Sequence, residues 1–89
     1  MTPSEIQQQI ARFMSQTFLF EFAHEVTSET DLFDSGLIDS FGFVQLVEFV
    51  EREFSVKLSD DDLASSETAT LSGITRLVVA SQTHGGSAK

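Results

Sequence analysis

Cysteine is missing altogether and basic residues are scarce: five Lys and Arg stand against fourteen Asp and Glu in 89 residues. Without cysteine there is no disulfide framework, no thiolate nucleophile and no Cys-based zinc site. The two histidines, His24 and His84, are not paired in sequence and leave poor metal ligands. A formal charge of −9 repels phosphate backbones and anionic lipid, which argues against nucleic acid and membrane partners. Apolar runs are only a few residues long and no basic-then-apolar leader opens the chain. A soluble cytoplasmic protein with no membrane insertion is therefore expected. What is present is ordinary for a globular chain, with hydrophobics at 40%. The length allows one domain, which at this size buries only about 60–65% of the surface the unfolded chain exposes. A small acidic monomer whose partners are basic proteins is the first expectation.

Local signals divide the chain into helices. Thr2-Pro3-Ser4-Glu5 reads as a capping box, with Thr2 as N-cap, Pro3 at the first helical position and Glu5 at the third. Ile6, Ile10, Phe13, Met14 and Thr17 follow at helical spacing, so a first helix is predicted over about 3–18. From Leu19 to Asp39 turn residues dominate. A loop of roughly twenty residues in a compact domain signals function or a hidden element. It is read as ordered, pinned by Phe20, Phe22, Leu32, Phe33, Leu37 and Ile38. A second helix is predicted from Ser40 to Phe54, where Phe43, Leu46, Val47, Val50 and Phe54 fall within about 100° of one another. Ser59-Asp60-Asp61-Asp62 caps a short helix through about Ser65. Thr70 is placed to cap a last helix carrying Leu71, Ile74, Leu77 and Val78. The expected fold is all-α: a small four-helix bundle, three main helices plus a short third one, with a long loop between the first two. Residues 1–82 form the domain, and 83–89 are expected to be a disordered tail.

The informative stretch is Asp31-Leu32-Phe33-Asp34-Ser35-Gly36-Leu37-Ile38-Asp39-Ser40-Phe41-Gly42. It ends in Asp39-Ser40 where a long helix begins. Free N–H groups and the positive dipole end there favour an anion on the serine oxygen, which suits a phosphodiester. The plain alternative is that Asp39 or Ser40 merely caps the helix. Phe41 and Val44 fall on the polar side of the second helix beside Gln45 and Glu48, which reads either as a docking face or as a surface covered by the loop. Phe49 also projects off the main stripe, and loop packing is the expected role.

This sequence resembles the acyl, peptidyl and D-alanyl carrier protein superfamily, from the first helix to about Ser81 and most closely from Leu32 to Phe54. The resemblance implies that Ser40 is the attachment site for 4′-phosphopantetheine delivered from coenzyme A. It further implies that Asp39 assists a Mg²⁺-dependent phosphopantetheinyl transferase, and that the protein is a carrier with no catalytic residues of its own. The cargo would ride as a thioester on the arm. Fatty-acid carriers usually place acids two and five positions after the serine, whereas Gly42 and Gln45 stand there in this chain. Leu37 to Leu46 looks more like the D-alanyl carriers, and Ser59 to Ser66 departs from them. The placement is a free-standing carrier for an acyl or aminoacyl group. It would be charged by an adenylating ligase and unloaded by an acyltransferase or condensing enzyme. Asp34, Asp39, Phe41, Val44, Gln45 and Glu48 are its candidate partner surface, while Glu51 and Glu53 read as a solvated face.

Other readings of the same residues are a fatty-acid or polyketide carrier and an unmodified acidic interaction module. A serine hydrolase would need His24 to reach Ser40, and no Gly-x-Ser-x-Gly turn is present. Asp31, Asp34, Gly36 and the Asp60–Asp62 run do not match an EF-hand, so no metal site is expected.

Overall fold

The computed structural model describes residues 2–19 and 26–85, with the backbone alone for 83–85. It shows helix α1 over Pro3–Phe18, α2 over Ser40–Phe54, α3 over Asp60–Ala64, a 3-10 turn over Ser66–Ala69 and α4 over Leu71–Gly85. No strand occurs among the described residues. The all-α bundle with three main helices and a short third one is the fold the sequence leads one to expect.

The N-terminal capping box of α1 forms with both of its bonds. Thr2 Oγ1 accepts the Glu5 N–H at 3.1 Å, and Glu5 Oε1 accepts the Thr2 N–H at 2.9 Å. Ile6, Ile10 and Met14, four residues apart, are buried along one stripe. Thr17 belongs to that stripe by spacing but is exposed, one turn beyond the last buried residue. The helix ends at Leu19, which takes a left-handed conformation (φ 61°) and donates its N–H to the Ser15 carbonyl. A leucine there meets the steric penalty that glycine avoids.

Between α1 and α2 the described part of the loop is ordered by its own polar groups. Asp31 Oδ1 accepts the N–H groups of Phe33 and Asp34, and the Leu32 carbonyl accepts those of Leu37 and Ile38. Gly36 turns the chain at φ 79°. Three bonds fasten this loop: Leu32 N–H to the Ala69 carbonyl at the end of the 3-10 turn, and, at the start of α4, Ser72 N–H to the Ser28 carbonyl and Ser72 Oγ to Glu29 Oε2. Leu32 and Ile38 are buried and Leu37 half-buried, as anchoring requires. Phe33 is not a core anchor. It lies at the surface with its ring edge-on to Phe43, centroids 5.6 Å apart. The anchors expected at Phe20 and Phe22, and His24, lie outside the described residues.

The α2 helix buries Gly42, Leu46, Val50 and Phe54. Phe49 does not serve the loop among the described contacts. Its ring stacks on Phe13 of α1 at 4.1 Å and 10° and meets Phe54 edge-on, so α2 has a second covered side facing α1. Glu51, read as a solvated acid, instead accepts the Leu58 N–H at 2.9 Å and pins the chain after the helix. Val56 and Leu58 are buried there while Ser55, Lys57 and Ser59 are exposed.

The Ser59–Asp62 capping box forms, and α3 stops at Ala64, one residue short of the expected end. The 3-10 turn was not foreseen. Thr68 is buried in it and bonds the Ser65 carbonyl through Oγ1 at 2.9 Å. Thr70 Oγ1 caps α4 by accepting the Gly73 N–H at 3.0 Å. Leu71, Ile74 and Val78 face the core, and Leu77 is half-buried. The helix runs to Gly85, three residues past the expected domain boundary at 82, and residues 86–89 lie outside those described. One exposed ion pair joins Arg76 to Glu67 at 2.6 Å, and the carboxylate holds the guanidinium pKa above its ordinary value. Such surface pairs contribute little to stability.

Candidate functional site at the start of α2

Asp39 takes the cap. Its backbone is extended (φ −105°, ψ −174°), and its Oδ1 accepts the Gly42 N–H at 2.8 Å. Its carbonyl accepts the Phe43 N–H, also at 2.8 Å. Ser40 is thereby left as the first helical residue, exposed, with its hydroxyl in no hydrogen bond among the described residues. The Ser40 and Phe41 N–H groups likewise have no partner there, as expected of a helix start. Open N–H donors and the positive end of the helix dipole favour negative charge at this position. A phosphodiester on Ser40 Oγ would need an exposed hydroxyl and donors beside it, and the residues present meet both conditions.

The surroundings of Ser40 differ on its two sides. At about 100° per residue, Phe43 falls about 60° to one side of it. Phe33, packed on Phe43, brings the acidic turn of Asp31 and Asp34 to that flank. Asp34 is exposed. Val44 and Phe41 lie about 40° and 100° to the other side, and they are 53% and 71% exposed. Of the two readings open for Phe41 and Val44, the uncovered face is the one found. Gln45 is half-buried on the same side and Glu48 exposed. The first turn of α2 contains no acidic residue.

Gly42 was not foreseen as a structural position. It is buried, and a Cβ there would stand 2.8 Å from Cε1 and 3.2 Å from Cζ of Phe18. The last residue of α1 therefore sits on the second residue after Ser40. The available signal was a glycine inside a strongly patterned helix, a position that commonly marks a close approach. No group of three or more acids or histidines that could hold a metal occurs among the described residues. No described helix is long and apolar enough to cross a membrane.

A comparison with curated proteins found no match. The family described as the phosphopantetheine attachment site matches residues 20–78, a range that holds the Asp31–Ile38 turn and all of α2. That family carries 4′-phosphopantetheine covalently and works with phosphopantetheinyl transferases and other enzymes rather than catalysing reactions itself. With well over half its length matched, the chain belongs to the phosphopantetheine-attachment family and is a non-catalytic carrier bearing a phosphopantetheine arm.

Proposed function

We propose that Ser40 bears the arm, and that the protein is a free-standing carrier of an amino acid or small acyl group. The observation that carries this reading is the division of labour at the helix start: Asp39 caps, so the Ser40 hydroxyl is exposed and uncommitted. In the attachment step Ser40 Oγ joins the pantetheine-bearing phosphorus of coenzyme A and gives its proton to a base of the transferase. The phosphoanhydride bond breaks and adenosine 3′,5′-bisphosphate leaves. The open N–H groups of Ser40 and Phe41 would then face the new phosphodiester. When bound, the group supplies a terminal thiol on a flexible arm that carries cargo as a thioester. Linking cargo to the protein keeps it at high effective concentration near each partner.

An adenylating ligase would load this thiol, and an acyltransferase would unload it. The neutral Gly42 and Gln45 after Ser40 favour an aminoacyl or small-acyl carrier of the D-alanyl type over a fatty-acid carrier. Asp34, Asp39, Phe41, Val44, Gln45 and Glu48 surround Ser40 as its partner surface. We place the protein as a monomer in the cytoplasm, where coenzyme A and ATP-dependent ligases operate. Residues 1–82 would suffice as the carrier domain.

Intact mass after incubation with coenzyme A, Mg²⁺ and a broad-specificity transferase tests the assignment. A gain of one phosphopantetheine that disappears in Ser40→Ala is the expected result. Failure of several transferases to modify the wild-type chain would overturn it and leave an unmodified interaction module.

A further inference from the structure

We propose that Phe18, the last residue of α1, is a positioning residue for modification at Ser40, acting through the Asp39 carboxylate. The inference rests on the Ser40 reading above and names a group outside α2 on which that site depends. Phe18 and Asp39 come together over Gly42. The point where a Cβ of that glycine would stand lies 2.8 Å from Phe18 Cε1, 3.2 Å from its Cζ and 3.4 Å from Asp39 Oδ1. Ring and carboxylate therefore border the same small space, and only glycine leaves it open to both.

That neighbourhood sets the α2 cap apart from two others. The bonds that cap α1 and α3, from the Glu5 N–H to Thr2 and from the Asp62 N–H to Ser59, are exposed. The bond from the Gly42 N–H to Asp39 Oδ1 is partly buried, although Asp39 and Ser40 are themselves exposed. Gly42 has no side chain to shelter it and is buried beneath the Phe18 ring. A hydrogen bond shielded from water is electrostatically stronger and holds its partners more firmly. The ring thus keeps Oδ1 on the cap and leaves Oδ2, one residue before the serine, uncommitted among the described residues.

The ring is itself held in place. Leu19 ends α1 directly after it with a left-handed turn (φ 61°). Phe13 meets Phe18 edge-on at 6.2 Å and stacks on Phe49 of α2 at 4.1 Å. A transferase engaging the Asp39 carboxylate meets a group already oriented, and such preorganisation speeds group transfer. Phe18 need touch neither the serine nor the transferase.

A kinetic double-mutant cycle on the full chain tests this. The measurement is kcat/KM for phosphopantetheinylation with coenzyme A, Mg²⁺ and a broad-specificity transferase, well below the melting temperature of every variant. Phe18→Ala is expected to lower kcat/KM by about 3-fold or more. In an Asp39→Asn background, which keeps the cap oxygen and removes the charge, the same truncation should lower it by less than about 2-fold further. Phe18→Met, whose flexible chain can reach Gly42, should stay within about 2-fold of wild type. Gly73→Ala, which disturbs the 3-10 turn and not this seam, should be modified at the wild-type rate. The proposal is overturned if Phe18→Ala loses less than about 3-fold, or if it loses as much in the Asp39→Asn background as in wild type. It is equally overturned if Gly73→Ala slows modification as much as Phe18→Ala, because lowered stability would then suffice. A wild-type chain that accepts no phosphopantetheine overturns the Ser40 assignment itself. A modified wild type whose two losses multiply removes only the role of Phe18.

Discussion

The Phe18 ring at the end of α1 rests on Gly42 of α2, with Cε1 2.8 Å from where a Cβ at that glycine would stand. Phe18 in turn meets Phe13 edge-on at 6.2 Å, and Phe13 stacks on Phe49. A line of rings thus runs down the α1–α2 seam and ends two residues from Ser40. Gly42 is where the seam closes, because any side chain would separate the two helices or displace the ring.

The first prediction follows from that contact. Replacing glycine by alanine inside a helix ordinarily stabilises it by about 0.5–1 kcal/mol. At Gly42 the gain should vanish or reverse, because the added methyl overlaps the ring. In a Phe18→Ala background the same substitution should become stabilising. Denaturant unfolding of the four proteins should therefore show a coupling of about 1 kcal/mol between the sites. Additive effects would mean that Phe18 does not rest on Gly42 in solution.

Gly73 faces a harder obstacle. A Cβ there would overlap the carbonyl oxygen of Glu67, a backbone atom of the 3-10 turn that cannot rotate away. Gly73→Ala should cost about 2–4 kcal/mol, well beyond the opposing gain in helix propensity. Chemical denaturation would register this as a lower midpoint with an unchanged slope. Because the turn lies far along the chain from Ser40, the residual folded protein should still accept phosphopantetheine.

How much of this was legible in the sequence depends on the range of the interactions. The starts of α1, α2 and α3 were readable because each is set by a cap that bonds within three residues: Thr2 to Glu5, Asp39 to Gly42, Ser59 to Asp62. The buried faces of α1 and α2 followed from apolar spacing. The stacking of Phe49 on Phe13 was not legible because spacing shows one stripe, whereas α2 has two covered sides, and only the fold reveals that Phe13 lies opposite. Glu51 was misread for a similar reason, since its partner is the backbone N–H of Leu58, seven residues on and past the helix end. The 3-10 turn and Gly73 hide behind ordinary Ser, Thr and Gly content, because their close approach is a tertiary fact. At the site, the local pattern marked Asp39 and Ser40. Which of them caps, and whether Phe41 is covered, needed the coordinates.

Stacking of Phe13 on Phe49, at 4.1 Å and 10°, should be measurable as an energy between helices. Both rings are half-buried, so either alanine substitution should destabilise the protein by about 1.5–3 kcal/mol. The double mutant should recover about 0.5–1.5 kcal/mol of the summed loss. A coupling indistinguishable from zero would mean that each ring packs independently against other neighbours.

Asp39 caps α2, and one pair of substitutions can separate that role from the transferase engagement proposed for its carboxylate. Its Oδ1 caps α2 through the Gly42 N–H, while no described group bonds Oδ2, which remains free for a transferase or its Mg²⁺. Asparagine keeps a cap oxygen and removes the charge; alanine removes both. Asp39→Asn should therefore hold the stability to within about 0.5 kcal/mol, whereas Asp39→Ala should lose about 1 kcal/mol. If Asp39 acts only as a cap, modification by the transferase will follow stability, and asparagine will behave as wild type. If the carboxylate also engages the transferase, both variants will slow modification alike, by about 10-fold or more, although only alanine weakens the helix. The asparagine variant decides between them, since its fold and its exposed Ser40 hydroxyl are unchanged and only the charge beside that hydroxyl is gone.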